Sequence, residues 1–151
     1  MKKTVNIKLL NKNFNYKLPS YETDGSAGLD LRACITNSIT LKSRQTKLIS
    51  TGIAIHINSY NIAAIILPRS GLSHNHGIIL SNNIGLIDSD YQGPILISLF
   101  NRSKYNFIIK PNYRIAQIIF TPIIKVKLKV VKHFTNRSKR YNKGFGHSGI
   151  K

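Results

Sequence analysis

The sequence is short of acidic residues, cysteine and tryptophan. Of 151 residues, 5 are aspartate or glutamate and 23 are lysine or arginine, which gives a formal net charge of +18. Cys34 is the single cysteine, so an internal disulfide is excluded and we expect a reducing compartment. Tryptophan is absent. The length suits one domain with a substantial core.

Long hydrophobic runs are also missing. The longest unbroken apolar run covers residues 62–67, whereas a transmembrane helix needs roughly 20 apolar residues. The basic first residues are not followed by an apolar segment of signal-peptide length. We therefore expect a soluble, cytoplasmic protein with no membrane partner.

The positive charge has two interpretations. One is a polyanionic partner such as nucleic acid. The other is compositional drift, because isoleucine, asparagine and lysine all use A/T-rich codons and the lysines are spread along the chain. A basic β-barrel that binds nucleic acid would present several stacking aromatics in one groove, but the aromatics here are scattered. We favour drift and expect no stable nucleic-acid partner.

Short apolar runs separated by turn residues predict an all-β protein. No segment of helical length shows the 3.6-residue period, and only residues 71–77 could hold a turn or so of helix. The pattern favours a sandwich, jelly roll or small barrel. We expect strands at residues 5–10, 29–34, 45–50, 53–57, 62–67, 78–80, 94–101, 107–109, 115–122 and 125–131.

The pattern changes at residue 135, where a polar, basic segment with three glycines begins. We predict a β-barrel domain over residues 1–134 and a flexible arm over residues 135–151. Glycine backbone and arginine side chains could close such an arm over phosphates. A disordered basic tail is the alternative, and composition alone favours it.

Five segments carry the candidate chemistry. They are AGLDLRA (27–33), PRSGLS (68–73), GLIDSDYQG (85–93), RIAQIIF (114–120), and GFGHSG (144–149) preceded by Arg140. In order and spacing they resemble the five motifs of the trimeric deoxyuridine triphosphatase (dUTPase) family, bacterial type. The resemblance implies a jelly-roll-like distorted β-barrel and a homotrimer whose active sites are shared between subunits. It also implies hydrolysis of dUTP to dUMP and pyrophosphate, which keeps uracil out of DNA and supplies dUMP for thymidylate synthesis.

Carboxylates in the third and first segments fit this hydrolysis. A general base must lie near the attacking water, and the resemblance assigns that role to Asp88. We assign Asp90 to the turn or to a basic neighbour, rather than to catalysis. The resemblance implies Mg²⁺ as cofactor, with Asp30 acting on it through water, because magnesium keeps several waters and binds substrate phosphates.

The third segment would also bind the base and the sugar. The resemblance assigns uracil recognition to Asn82 and to the backbone of a hairpin around Leu86 and Ile87, with Leu96 on the floor of the pocket. Tyr91 would stack beneath the deoxyribose, and its alternative is a tyrosine that packs on the sheet.

The remaining segments would bind the triphosphate. Gln117 would lie near the α-phosphate, or would make a core hydrogen bond as buried amides commonly do. Phosphate binding is assigned to Arg69, Ser70 and Gly71 on a turn, and closure of the arm is assigned to Arg140, Phe145 and Ser148.

Three positions depart from the family pattern. Tyr141 and Lys143 replace two glycines that usually follow the arginine of the fifth motif, and Tyr113 stands where a glutamate usually precedes Arg114. A non-catalytic regulatory homologue is therefore an alternative. A deoxycytidine triphosphate deaminase is a further one, but it would need a catalytic glutamate in the core, and Glu22 near the amino terminus is the only glutamate.

The charge predicts salt-sensitive stability. A trimer that carries +18 on each chain repels itself, and added salt screens that repulsion. We expect the melting temperature to rise by several degrees between low and moderate salt, as measured by thermal unfolding. An unchanged melting temperature would contradict this expectation.

Overall fold

The fold is built from short strands and one short helix. The computed structural model describes residues 3–11, 17–136, 141–142 and 144. The elements in chain order are β1 (Asn6–Leu9), β2 (Leu29–Arg32), β3 (Ile39–Leu41), β4 (Thr46–His56), β5 (Ile62–Leu67), α1 (Ser70–His76), β6 (Ile78–Leu80), β7 (Gly85–Ile87), β8 (Pro94–Asn101), β9 (Phe107–Ile109) and β10 (Arg114–Pro122).

Two four-stranded antiparallel sheets enclose the core. The first has the strand order β1-β4-β8-β6 and the second has the order β2-β10-β5-β7, while β3 and β9 form a two-stranded sheet. Alternate residues of the long strands point inward: in β8, Ile95, Ile97 and Leu99 are each 1% exposed. All three sheets contribute side chains to one apolar cluster. The expected all-β, jelly-roll-like class is confirmed.

Four predicted strands have the observed bounds, namely β5, β6, β8 and β9. The prediction was wrong where it split residues 45–57 into two strands at Thr51-Gly52. This stretch is one strand, β4, whose register with β8 shifts between Ser50 and Ala54. Gly52 has a φ of 71°, which a bulge tolerates at glycine. The turn signal therefore marks a bulge inside a strand.

Further differences concern short or exposed segments. Strands β3 and β7, of three residues each, were not predicted, and α1 spans seven residues instead of a turn or so. The predicted strand at residues 125–131 is absent from the part of the chain that the structure describes. Its apolar residues Ile124, Val126, Leu128 and Val130 are 73–98% exposed, because no strand among the described residues covers them.

Within the described ranges, no helix combines the length and the apolar character needed to cross a membrane.

Candidate active site

Three of the five sequence segments converge on one cleft. On three adjacent strands of the second sheet, Asp30 of β2 pairs with Gln117 of β10, and Gln117 pairs with Leu67 of β5. Paired residues share a face of the sheet, as do residues two apart along an extended chain, so Arg69 follows on the same face. The cleft has a volume of about 480 Å³ and is lined by Glu22, Ser26, Ala27, Gly28, Asp30, Leu67, Arg69, Ser70, Gly71, Gln117 and Ile119.

Asp30 lies between two arginines. Arg69 Nε donates to Asp30 Oδ1 at 2.8 Å, and Arg114 Nη1 donates to Asp30 Oδ2 at 3.3 Å. The Asp30 side chain is 12% exposed, against 29% for Arg69 and 41% for Arg114. Charge-assisted hydrogen bonds of this kind fix side-chain direction. The bridge therefore ties the first, second and fourth segments together.

Gln117 orients the turn that carries Arg69. Its Nε2 donates to the carbonyl of Pro68 at 3.0 Å. Its Oε1 faces Gly28, where an added Cβ would lie 2.8 Å from that oxygen. The amide thus lines the cleft and supports the turn at Pro68.

Ser70 and Gly71 are exposed and begin α1. A Cβ built on Gly71 meets no heavy atom within 4 Å. The backbone at this turn is therefore open to a ligand in the cleft.

The cleft offers few protein ligands for a metal ion. The described residues contain no group of three or more His, Cys, Asp or Glu side chains that could hold one. Both Asp30 oxygens accept from arginine, although each carboxylate oxygen retains a second lone pair. This donor set fits a cation held mainly by water and phosphate oxygens, with Asp30 outside its first coordination sphere, which is common for magnesium.

The third segment forms a second surface, which we call the turn surface: residues 82–96. Strand β7 pairs with β5 and β8 pairs with β4 and β6, so the two belong to different sheets. The expected hairpin is therefore a connection between sheets. Tyr91 N donates to the carbonyl of Asp88 at 3.2 Å, and Tyr91 Oη donates to that of Pro94 at 3.0 Å.

Most predicted residues of the turn surface are accessible. Asn82, Leu86, Asp88, Tyr91 and Leu96 are exposed and Ile87 is half-buried. Four large apolar side chains of this surface, Ile84, Leu86, Tyr91 and Leu96, are 41–64% exposed, and a group of exposed apolar side chains is typical of a surface that meets a ligand or another chain. Because β7 is the last strand of its sheet, part of its backbone N–H and C=O groups point away from β5.

In one chain Asp88 of the turn surface lies apart from the cleft. Ile87 pairs with Ala64, so Asp88 lies beside the start of β5, whereas Arg69 follows its end. Ala63 and Arg69 are six residues apart, which is on the order of 20 Å of extended chain. Asp88 is therefore not brought to Arg69 within the subunit.

The predicted residues Arg140, Phe145 and Ser148 lie outside the described residues. The same is true of most of the predicted arm, so its boundary at residue 135 stays a prediction.

The sequence interpretation gave no role to Gly28 or Arg114, although both lie in the quoted segments. For Gly28 the sequence alone offers no signal, because the need for a glycine arises from Gln117 on another strand. For Arg114 a signal exists, since Ile115 and Ala116 are consecutive apolar residues and break the alternation of a regular strand.

Comparisons with known proteins agree across nearly the whole chain. A family model described as dUTPase matches residues 15–149. Deoxyuridine 5'-triphosphate nucleotidohydrolase of Wigglesworthia glossinidia brevipalpis is 58% identical over 151 residues, with 99% of each chain covered. The protein of the same name from Baumannia cicadellinicola is 56% identical over 149 residues, covering 97% of this chain and 98% of the relative.

A solved dUTPase structure is also similar to this chain over nearly its whole length. The dUTPase of Staphylococcus bacteriophage 80alpha, in complex with dUPNHPP, has a TM-score of 0.83 and 26% identity to this chain. The match covers 99% of this chain and 100% of the phage chain.

The Gly28–Gln117 contact predicts a specific effect on stability. In Gly28→Ala the new Cβ forces the Gln117 amide off the Pro68 carbonyl, which should lower the free energy of unfolding by about 1 kcal/mol. Gly25→Ala is the control, because a Cβ there meets nothing within 4 Å. Chemical denaturation of both variants measures the difference.

A Gln117→Ala background tests whether the clash with the Gln117 amide causes the loss of stability in Gly28→Ala. Without the amide, Gly28→Ala should lower the free energy of unfolding by little more, because the effects of the two positions are coupled. An undiminished cost in that background would contradict the contact as its origin.

Proposed function

The chain belongs to the dUTPase family, and from this premise we propose how its residues carry out the hydrolysis of dUTP. The protein is a hydrolase that converts dUTP to dUMP and pyrophosphate. This reaction keeps uracil out of DNA and supplies dUMP for thymidylate synthesis. The observation that carries the assignment of residues is the cleft, where Asp30, Arg69 and Gln117 meet from three segments.

The cleft is proposed to hold the triphosphate. Arg69 uses Nε for Asp30, so its two terminal nitrogens are available to phosphate oxygens. Ser70 can donate its hydroxyl, and the open backbone at Gly71 lets oxygens approach closely. Gln117 lies beside them and would face the α-phosphate. Arg140, Phe145 and Ser148 are proposed to complete this site from the arm and to exclude water.

The turn surface is proposed to bind the nucleoside and the attacking water. The outer edge of β7, at Leu86 and Ile87, offers backbone donors and acceptors that can match the polar edge of uracil, and a wrong base would leave them unpaired. Asn82 and Leu96 would border the base, and Tyr91 would stack on the deoxyribose.

Asp88 is proposed as the general base. Its exposed carboxylate would accept a proton from water while the water oxygen forms a bond to phosphorus and the bridge between the α- and β-phosphates breaks. The electron pair of that bond leaves with pyrophosphate. The guanidinium group of Arg69 would stabilise the charge that develops on the leaving group.

We propose Mg²⁺ as the cofactor. Its chemistry would be to neutralise charge on the phosphate oxygens. Asp30 would hold one of its waters, which agrees with a carboxylate whose oxygens already accept from two arginines.

A homotrimer with shared sites is proposed because a single chain leaves two features incomplete. The cleft lies at one end of β5 and Asp88 lies beside the other, so a second copy would bring the Asp88 of its own turn surface to the cleft. We propose that neighbouring copies cover the exposed apolar row from Ile124 to Val130. They would also cover the outer edge of β1, which pairs with no further strand in the part of the chain that the structure describes. Three copies agree with the trimeric type that the motifs resemble.

A cytoplasmic location is part of the proposal. It is supported by the single Cys34, which suits a reducing compartment.

Substrate selectivity tests the proposed function. With Mg²⁺ present, the protein should release pyrophosphate from dUTP and not from dTTP, dCTP or UTP, as measured by a pyrophosphate assay. Absence of turnover, together with tight salt-dependent binding to DNA, would contradict the proposal.

The two aspartates of the third segment should behave differently. Asp88→Asn should lower the turnover of dUTP by at least about 100-fold, because the base is lost, and should leave dUTP binding nearly unchanged. Asp90→Asn, two positions away, is the matched control and should keep most of the turnover. Equal activity of the Asp88 variant and the wild type would overturn the assignment of the base.

The exposed apolar row should be needed for assembly. Leu128→Asp places a charge in the interface that we propose and should shift the molecular mass measured by light scattering from trimer towards monomer. Lys127→Asp, at the neighbouring basic position of the same segment, should leave the trimer intact. A trimer that persists in Leu128→Asp would count against this role for the segment.

A further inference from the structure

We propose that Arg114 is a positioning residue for triphosphate binding, which acts through Asp30 on Arg69. This inference rests on the proposed function, because it concerns how the same cleft holds the phosphates of dUTP.

A β-bulge places Arg114 on the face of the sheet that carries the cleft. Gln117 pairs with Asp30 and Ala116 with Leu31, but Arg114 pairs with Arg32, so Ile115 is one extra residue in β10. Regular alternation would put Ile115 on the face of Gln117 and Arg114 on the opposite face. The bulge exchanges the two faces, so that Arg114 lies on the face of Gln117 and Ile115 does not.

Burial agrees with this geometry. Ile115 and Ala116 are consecutive and are only 1% and 0% exposed, so both lie in the core. Arg114 instead reaches the Asp30 carboxylate across the sheet. The bulge therefore keeps Ile115 buried and brings a cation to the cleft.

The turn before β10 fixes the backbone position of Arg114. Asn112 has a φ of 64°, a conformation that asparagine tolerates better than most residues. Asn112 N donates to the carbonyl of Ala33 at 2.9 Å, and Ala33 N donates to that of Tyr113 at 2.8 Å. These bonds attach the turn to the end of β2, which also carries Asp30, so Arg114 and Asp30 are held together by the backbone.

The charges explain why a second arginine is needed. Arg69 and Asp30 alone form a neutral pair, which attracts a polyanion only weakly. Arg114 takes Oδ2 of Asp30, so the three groups together carry one net positive charge. Asp30 Oδ1 then accepts from Arg69 Nε, and the terminal nitrogens of Arg69 stay available to phosphate oxygens.

Loss of Arg114 should therefore weaken binding of the triphosphate more than binding of the nucleoside. Without it, the Asp30 carboxylate has one cation instead of two and can turn towards the terminal nitrogens of Arg69. Its negative charge would then compete with phosphate. The turnover of bound substrate should change less than the affinity.

Binding to two nucleotides tests the inference. Arg114→Gln should raise the dissociation constant for dUpNHpp, the imido analogue of dUTP, by roughly 10- to 100-fold, which corresponds to one charge-assisted hydrogen bond. Affinity for dUMP, which lacks the β- and γ-phosphates, should fall much less. Arg114→Lys keeps a cation near Asp30 and should recover a large part of the affinity.

Two controls separate positioning from charge and from folding. Lys110→Gln removes one positive charge beside Arg114, from a side chain that does not contact Asp30, and should change dUpNHpp binding little. In an Asp30→Asn background, Arg114→Gln should have almost no further effect, because the two residues act in series. Light scattering verifies that each variant keeps the assembly state of the wild type.

The outcomes are distinct. The inference is supported if the effect of Arg114→Gln is large, specific to dUpNHpp and lost in the Asp30→Asn background. It is overturned if Lys110→Gln or Arg114→Lys weakens binding as much as Arg114→Gln, or if the full effect persists without the Asp30 carboxylate. If the wild-type protein binds neither nucleotide, the proposed function itself fails, and the inference fails with it.

Discussion

The contact of Asp30 with Arg69 and Arg114 is the constraint on which the cleft depends. A carboxylate that is 12% exposed loses much of its hydration, and this loss is offset only by well-placed partners. Two guanidinium groups supply them, from the turn after β5 and from the start of β10. The same contact sets the direction of Arg69, so the arrangement of the side chains that we propose to bind phosphate depends on the partners of this carboxylate.

Much of the fold could be predicted from the sequence, because buried strands are rich in apolar residues. Strands β5 and β8 are apolar runs bounded by turn residues, and their observed bounds match the predicted ones. The errors occurred where a local signal had two structural meanings. Thr51-Gly52 reads as a turn but forms a bulge in β4, and β7 is too short and too polar in its surroundings to stand out.

The sequence named the members of the candidate site, which stay a prediction, but it did not indicate how they are arranged. Motif resemblance identified Asp30, Arg69, Gln117 and Asp88, but residue spacing does not indicate that β5 separates Asp88 from the other three. Strand pairing supplies that information. The alternating segment at residues 125–131 fails as a strand for a related reason, since a strand forms only when it has a partner, and the partner we propose belongs to another chain.

The central claim is that each active site joins the cleft of one chain to the turn surface of another. Mixing two inactive variants tests it directly: Arg69→Gln, with an impaired cleft, and Asp88→Asn, with an impaired turn surface. After unfolding and joint refolding of equal amounts, random assembly should restore roughly a quarter of the wild-type activity on dUTP, because some sites combine the intact cleft of one variant with the intact turn surface of the other. Mixed trimers that stay as inactive as either variant alone would contradict the account.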